Sequence, residues 1–328
     1  MKKLIVLLTC LVVVCFAVVG CGKKDDGEKV TVLKLAHGLD TTHPVHKGME
    51  YMAGLVLEKS GGKLRVDIYP SQQLGSEREC IEQLQIGALA MTKTSSAALE
   101  SFVPEVKVLG LPYLFRNDDH YWKVLLGDIG KELMDAGKSK GLKGLCFYDA
   151  GARSFYTKKP IKSPADLKGL KIRVIKSNMA MKMIEAMGAS ATPIDWGELY
   201  TSLQQGVVDA AENNPPSFHT SHHYDVCKYY TLDEHTRPPD MLLISNAAWG
   251  KLSPEFQQVL QEAATESVAY ERKLWAEKVQ ESLKVVKEAG VEVSYPDKGP
   301  FKAAVKSLWD EFEGSELMKM AKRIEQVK

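Results

Sequence analysis

Polar and apolar positions alternate over Lys63-Leu64-Arg65-Val66-Asp67-Ile68-Tyr69, which predicts a half-buried strand ending at Pro70. Val30–Ala36 reads as a strand too and runs into the loop His37-Gly38-Leu39-Asp40-Thr41-Thr42-His43-Pro44. Pro44 suits a first helical position, and the helix it opens runs to about Lys59, where Gly61-Gly62 stops it. Ser76 and Glu79 are spaced as a capping box at the start of an amphipathic helix that carries Ile81, Leu84 and Gln85 and closes at Gly87. Strand, helix, strand, helix in repetition is the signature of an α/β sheet.

Two short patterns recur. Lys63-Leu64-Arg65-Val66 returns as Lys171-Ile172-Arg173-Val174, and Leu84-Gln85-Ile86-Gly87 returns as Leu203-Gln204-Gln205-Gly206, in the same order and at similar separation. The echo points to two similar α/β lobes. After Ser253-Pro254, an N-cap with proline at the first position, the helical pattern holds to about Ala289-Gly290. At 1.5 Å per residue such a helix is roughly 50 Å long, too long to pack along one small lobe, so it is expected to span both. A final helix is predicted over Phe301–Val327.

The pattern at the N-terminus is of another kind. Lys2 and Lys3 precede an apolar run from Leu4 to Val19, then Gly20-Cys21 and an abruptly polar stretch. A basic start, a short apolar core and small residues at a cleavage point read as a secretory signal, and the core is shorter than the roughly 20 residues needed to cross a bilayer. Gly20-Cys21 resembles a bacterial lipobox, with Cys21 the acylated N-terminus of a membrane-anchored protein outside the cytoplasm. The expected organisation is residues 1–20 signal, 21–30 tether, 31–150 the first part of lobe I and 151–235 lobe II. Residues 236–328 then return strands to both lobes and carry the long helix 253–289 and a C-terminal helix.

Charge and cysteine content narrow the function. Without residues 1–20 the formal charge goes from +1 to −1, because two lysines and no acids are lost. A near-neutral body argues against nucleic-acid binding. Cys80, Cys146 and Cys227 have no CxxC spacing and read as free buried thiols rather than a disulfide framework or zinc ribbon. No GxSxG, P-loop, GxGxxG or HExxH pattern is present, so no catalytic residue, cofactor or metal is assigned. His219-Thr220-Ser221-His222-His223 lacks further ligands at suitable spacing and reads as a solvated turn.

Arginine is more telling. Arg173 lies in Ile172-Arg173-Val174-Ile175, a β-branched run suited to a central parallel strand. A guanidinium there must find a protein acid or face a cleft at the strand's carboxyl end, where its planar fork suits a carboxylate. Arg153, among the small residues Gly151, Ala152 and Ser154, reads either as an exposed loop arginine or as a ligand contact. Asn213-Asn214-Pro215-Pro216 places two amides after a strand, as a turn or as a recognition element. Trp196 opens a helix over Gly197–Gln205 and offers an apolar wall to a ring, or fills a core.

Together these segments resemble the solute-binding proteins of tripartite ATP-independent periplasmic (TRAP) transporters, the DctP-like group. The matching pieces are Gln73-Leu74-Gly75 followed by Glu77, Leu111-Pro112-Tyr113-Leu114, and Pro164-Ala165-Asp166-Leu167-Lys168-Gly169-Leu170-Lys171-Ile172-Arg173-Val174. Pro193-Ile194-Asp195-Trp196-Gly197-Glu198-Leu199-Tyr200, Leu203-Gln204-Gln205-Gly206-Val207-Val208-Asp209 and Glu212-Asn213 follow in family order. The resemblance implies a two-lobed fold that closes on its ligand and delivers it to membrane permease subunits. It implies a carboxylate salt bridge at Arg173, completed by Arg153 and Asn213, with Trp196, His37, Ser95 and Asn214 also in the pocket.

Three departures qualify the match. Thr94-Ser95-Ser96 lacks the glutamate of sialic acid binders, Asp209-Ala210-Ala211 stands where Asp-Gly is common, and Ile175 where proline is usual. The stretches Gly38–Pro44, Asp149–Tyr156 and Asn213–Phe218 look most like binders of uronic and related sugar acids. The alternatives are a C4-dicarboxylate or 2-oxo acid ligand, and a sensor subunit feeding a histidine kinase.

Overall fold

The computed structural model describes residues 30–328, and the signal segment and Cys21 lie outside them. Within the described residues eleven strands form two sheets: β1 Thr31–Ala36, β2 Leu64–Tyr69, β3 Met91–Ser95, β4 Leu142–Tyr148, β5 Arg153–Thr157, β6 Lys171–Val174, β7 Ser190–Pro193, β8 Ala210–Asn213, β9 Tyr229–Thr236, β10 Asp240–Ser245 and β11 Glu292–Ser294. The first sheet has the order β2-β1-β3-β10-β4, and the second, read from its far edge, β7-β6-β8-β5-β9-β11. Each begins with three parallel strands and continues with antiparallel ones: β10 on β3 and β4 in the first, β5 on β8 and β9 in the second. β10 thus does in the first lobe what β5 does in the second, although it lies far along the chain.

The sequence echo maps only partly onto this likeness. The helices ending at Leu84-Gln85 and Leu203-Gln204 lead into β3 and β8, which hold equivalent places. Lys63–Val66, however, enters edge strand β2, whereas Lys171–Val174 is β6, flanked on both sides. That match is one of composition.

Three connections join the lobes: residues 149–152, residues 237–239, and the 35-residue helix Pro254–Glu288. Ser253 caps this helix, its hydroxyl accepting from Phe256 N at 3.2 Å, and Pro254 sits in its first turn. It packs on helix Pro44–Lys59 and β4 of the first lobe, then on helix Pro215–Thr220 of the second. In the first crossover Gly151 has φ +58°, and a Cβ there would lie 2.7 Å from Trp275 Cζ2. Only glycine meets both demands.

The larger core runs from Leu35, Met49 and Met52 through Leu145, Phe147 and Leu260, and continues on the hinge side into Ile172, Val174, Met179 and Met183. A second core gathers Tyr156, Leu199, Phe218, Tyr230 and Val286. Each such side chain contributes about 1.5–3 kcal/mol of burial free energy.

The single helix expected over Phe301–Val327 is instead three: Lys298–Ala304, Lys306–Glu311 and Glu316–Glu325. Gly314-Ser315 is a stop followed by an N-cap, Ser315 accepting from Met318 N at 3.2 Å. The breaks wrap the segment onto the first lobe, where Trp309 Nε1 donates to Pro112 O and the Ile324 carbonyl accepts from His120 Nε2. Cys80, Cys146 and Cys227 are free and buried. Among the described residues no helix is long and apolar enough to cross a membrane.

Candidate functional site

Parallel strands present their carboxyl ends at one sheet edge, and an antiparallel neighbour presents its amino end there. Register places Asp240, opening β10, beside Ser95, closing β3, and places Ser154 of β5 beside Asn213, closing β8. These edges face each other across a cavity of about 860 Å³ including its open mouth, within the ~300–1,000 Å³ usual for small-molecule sites. The first lobe contributes Gly38, Leu39, His43, Gln72, Glu77, Arg78, Lys93 and Ser95, with Asp240. The second contributes Arg153, Arg173, Ile175, Lys176, Asp195, Trp196, Asn213, Asn214 and Ser217.

Arg173 sits in β6 between Thr192 of β7 and Ala211 of β8, with 3% exposure. Its Nε donates to Ile194 O at 2.8 Å, and its Cζ lies 5.7 Å from the Trp196 ring centroid. Neither terminal nitrogen has a hydrogen-bond or carboxylate partner among the described residues. Burial lowers the pKa of this arginine, and the charge of Arg153 adds to the effect. It is a desolvated cation with no acid hydrogen-bonded to it among the described residues.

Arg153 is the opposite case. It is neither exposed nor in a loop, but the buried first residue of β5. Its Nε pairs with Glu212 Oε2, Nη2 donates to Glu212 Oε1 at 2.8 Å, and Nη1 donates to Asn213 Oδ1 at 3.0 Å. Glu212 in turn meets His235 Nε2 at 3.4 Å, and His235 Nδ1 lies 2.9 Å from Asp233 Oδ2. Burial would raise the Glu212 pKa, but Arg153 and His235 together outweigh it and hold the carboxyl at about 2. Burial likewise opposes the His235 charge, yet Asp233 and Glu212 raise that pKa to about 9. The internal salt bridge weighed for Arg173 belongs to Arg153.

Asn213 spends its Oδ1 on Arg153 and on Asn214 N. Asn214 caps helix Pro215–Thr220 through Ser217 N at 2.8 Å and donates Nδ2 to Ala150 O in the crossover. Ser95 caps the short helix behind it through Ala97 N. Trp196 lines the cavity from a 3-10 turn, Trp196–Glu198, ahead of helix Leu199–Gln204.

His37, expected in the pocket, stands behind its wall, which Gly38 and Leu39 form. Its Nδ1 accepts from Leu39 N at 3.1 Å, leaving Nε2–H to donate to His46 Nδ1 at 2.9 Å. Burial and the nearby Lys93 charge lower its pKa to about 2, so the ring is neutral.

The 219–223 segment is not wholly solvated either. His223 is buried, bonded to Tyr156 Oη at 2.9 Å and 5.0 Å from Trp196, centroid to centroid, while His219 meets Ser282. No group of His, Cys, Asp or Glu among the described residues is placed to hold a metal ion.

Sequence reasoning missed Lys93, Asp240 and His43. Lys93 Nζ lies 3.2 Å from Glu77 Oε1 and 3.1 Å from Asp240 Oδ2, at 3% exposure. The available signal was a lysine inside Met91–Ser95, a run otherwise suited to a buried strand, where a charge must be paired. His43 Nε2 reaches Ser217 Oγ at 3.2 Å across the cleft. Gln72 approaches Gly197 so closely that a Cβ there would sit 2.3 Å from Gln72 Oε1. The two lobes therefore touch at the mouth.

Residues 35–315 match the family model described as bacterial extracellular solute-binding protein, family 7 (DctP). The chain belongs to this family, the binding proteins of TRAP transport. A TRAP periplasmic solute-binding protein from Xanthobacter autotrophicus Py2 with bound β-D-galacturonate superposes with a TM-score of 0.88 at 41% identity, over 90% of this chain and 100% of that one. One from Pseudomonas putida F1 with bound D-glucuronate gives 0.88 at 38%, over 90% and 97%. The curated 2,3-diketo-L-gulonate-binding periplasmic protein YiaO of Escherichia coli K12 is 34% identical over 262 residues, 80% of each chain. The two-lobed α/β fold inferred from the sequence is the fold of this family.

Proposed function

We propose that this chain captures a hexuronate, such as galacturonate or glucuronate, between its lobes and delivers it to TRAP permease subunits. The carrying observation is Arg173, a buried guanidinium at the wall of the cavity between the lobes, whose two terminal nitrogens have no partner among the described residues. The ligand carboxylate takes those nitrogens in a bidentate, charge-assisted pair. Trp196 covers the Arg173 side, Asn213 and Arg153 border it, and Asn214 and Ser95 face the hydroxyls. Two neighbours hold uronates and YiaO is named for a sugar acid, which supports the ligand class.

The reading needs binding and release alone, and assigns the chain no catalytic step. The apolar run before Cys21 supports export and lipid anchoring at that cysteine. A thermal-shift and calorimetric screen against hexuronates, aldonates, C4-dicarboxylates, 2-oxo acids and sialic acid tests the ligand. Hexuronates should bind best, and a preference for a C4-dicarboxylate or sialic acid would replace the assignment.

A further inference from the structure

The cavity charges are divided unequally, and the division bears on which acids fit. On the second-lobe wall Arg173 is a cation without an acid, while Arg153 is balanced by Glu212 and Lys176 by Asp195. On the first-lobe wall Arg78 is balanced by Glu82, its Nε 3.0 Å from Glu82 Oε1, and the rest of the balance is reversed, with the single ammonium of Lys93 held between Glu77 and Asp240. Burial opposes the Lys93 charge, but Asp240 and Glu77 outweigh it, so the ammonium persists; burial also raises the Asp240 pKa, and the Lys93 charge beside it works against that rise. Glu77 Oε1 also accepts from Ser95 N at 3.1 Å. Glu77 Oε2 and Asp240 Oδ1 receive no hydrogen bond from the described residues. Neutral His43 adds no charge: its Nδ1 accepts from Val45 N and its Nε2 meets Ser217.

Such a wall offers acceptors and excess negative charge. Sugar hydroxyls can donate to both free oxygens, since an ionised carboxylate only accepts and no protein donor competes for these two atoms. A ligand carboxylate cannot donate, and it would face two like charges in a poorly solvated site. Accepting the uronate reading above, we infer that Glu77, Lys93 and Asp240 form a monoanion filter. One carboxylate enters at Arg173, a hydroxylated uncharged end lies against this wall, and acids charged at both ends are rejected. The excluded class is the aldaric acids, which keep the uronate skeleton and replace its aldehyde carbon by a second carboxylate.

Titration calorimetry of the purified protein with galacturonate, glucuronate and galactarate tests this at fixed ionic strength. Galactarate should bind at least about tenfold more weakly than galacturonate, or about 1.4 kcal/mol. Glu77→Gln and Asp240→Asn, examined separately, should each narrow that ratio to about threefold or less, strengthening galactarate while weakening galacturonate. A wild-type ratio within threefold overturns the filter. So does an unchanged ratio in whichever variant retains the wild-type circular dichroism spectrum. Wild-type protein that binds neither uronate refutes the uronate reading itself, a result distinct from parity between the two acids.

Discussion

Replacing Arg173 by alanine separates a ligand anchor from a structural arginine, because the two roles predict opposite outcomes. In the free protein this guanidinium makes one hydrogen bond, to Ile194 O, and one ring contact, with Trp196. No acid in the described residues repays its desolvation. Removing it therefore leaves no buried carboxylate stranded, and the loss of those two contacts is offset by relief of a buried charge. The melting temperature of the ligand-free protein should change little. The bound state differs, since truncating one partner of a buried charge pair costs about 2–5 kcal/mol. That corresponds to about 30-fold to several-thousand-fold in affinity. Arg173→Lys should recover only part, because an ammonium cannot reproduce the fork. Calorimetric titration with the best uronate and a thermal melt of the same preparations supply both numbers. Affinity retained within about threefold, under ~0.7 kcal/mol, together with a large fall in melting temperature, would refute the anchor assignment.

Arg153→Ala should leave Glu212 with His235 as its one charged partner among the described residues and destabilise the free protein by about 3–5 kcal/mol, with Glu212→Gln in the same chain recovering part of the loss on denaturant unfolding. The His235 pKa is raised from 6.5 to about 9, so its stabilisation is fully present below about pH 6.5 and is lost as the pH rises through 9. Its size is about 3 kcal/mol at the 1.36 kcal/mol per unit of linkage. Melts of ligand-free protein from pH 6 to 10 should show this fall, and His235→Gln should flatten it; an equal fall in the variant assigns the effect elsewhere. The lobes touch at the mouth in this structure, so if ligand-free protein opens in solution, saturating uronate should lower the radius of gyration in small-angle scattering, and an unchanged profile at proven saturation contradicts closure on ligand.

Local signals in the sequence carried the elements that position the site. The Ser76 capping box, Pro44 and Pro254 at helix starts, and the alternation over residues 63–69 each reappear within a residue or two. They are visible because capping, proline geometry and strand periodicity are decided by neighbours along the chain. The length of helix Pro254–Glu288 likewise forced a two-lobe arrangement, since 35 residues exceed what one small lobe can cover.

What tertiary structure alone decided was partnership. Arg153 and Arg173 look alike as sequence, a basic residue beside small or β-branched ones, yet one is neutralised and the other free. The difference is that antiparallel β5–β8 pairing brings Glu212 beside Arg153, 59 residues away, while no acid among the described residues forms an ion pair with Arg173. Lys93 lies 147 residues from Asp240, and only the return of β10 to the first sheet joins them. The Lys63–Val66 echo failed for the same reason: four residues specify a strand, but its place at an edge or between neighbours depends on which segments fold beside it. Sequence determined where charges enter the chain, and the sheet register determined which of them remain for a ligand.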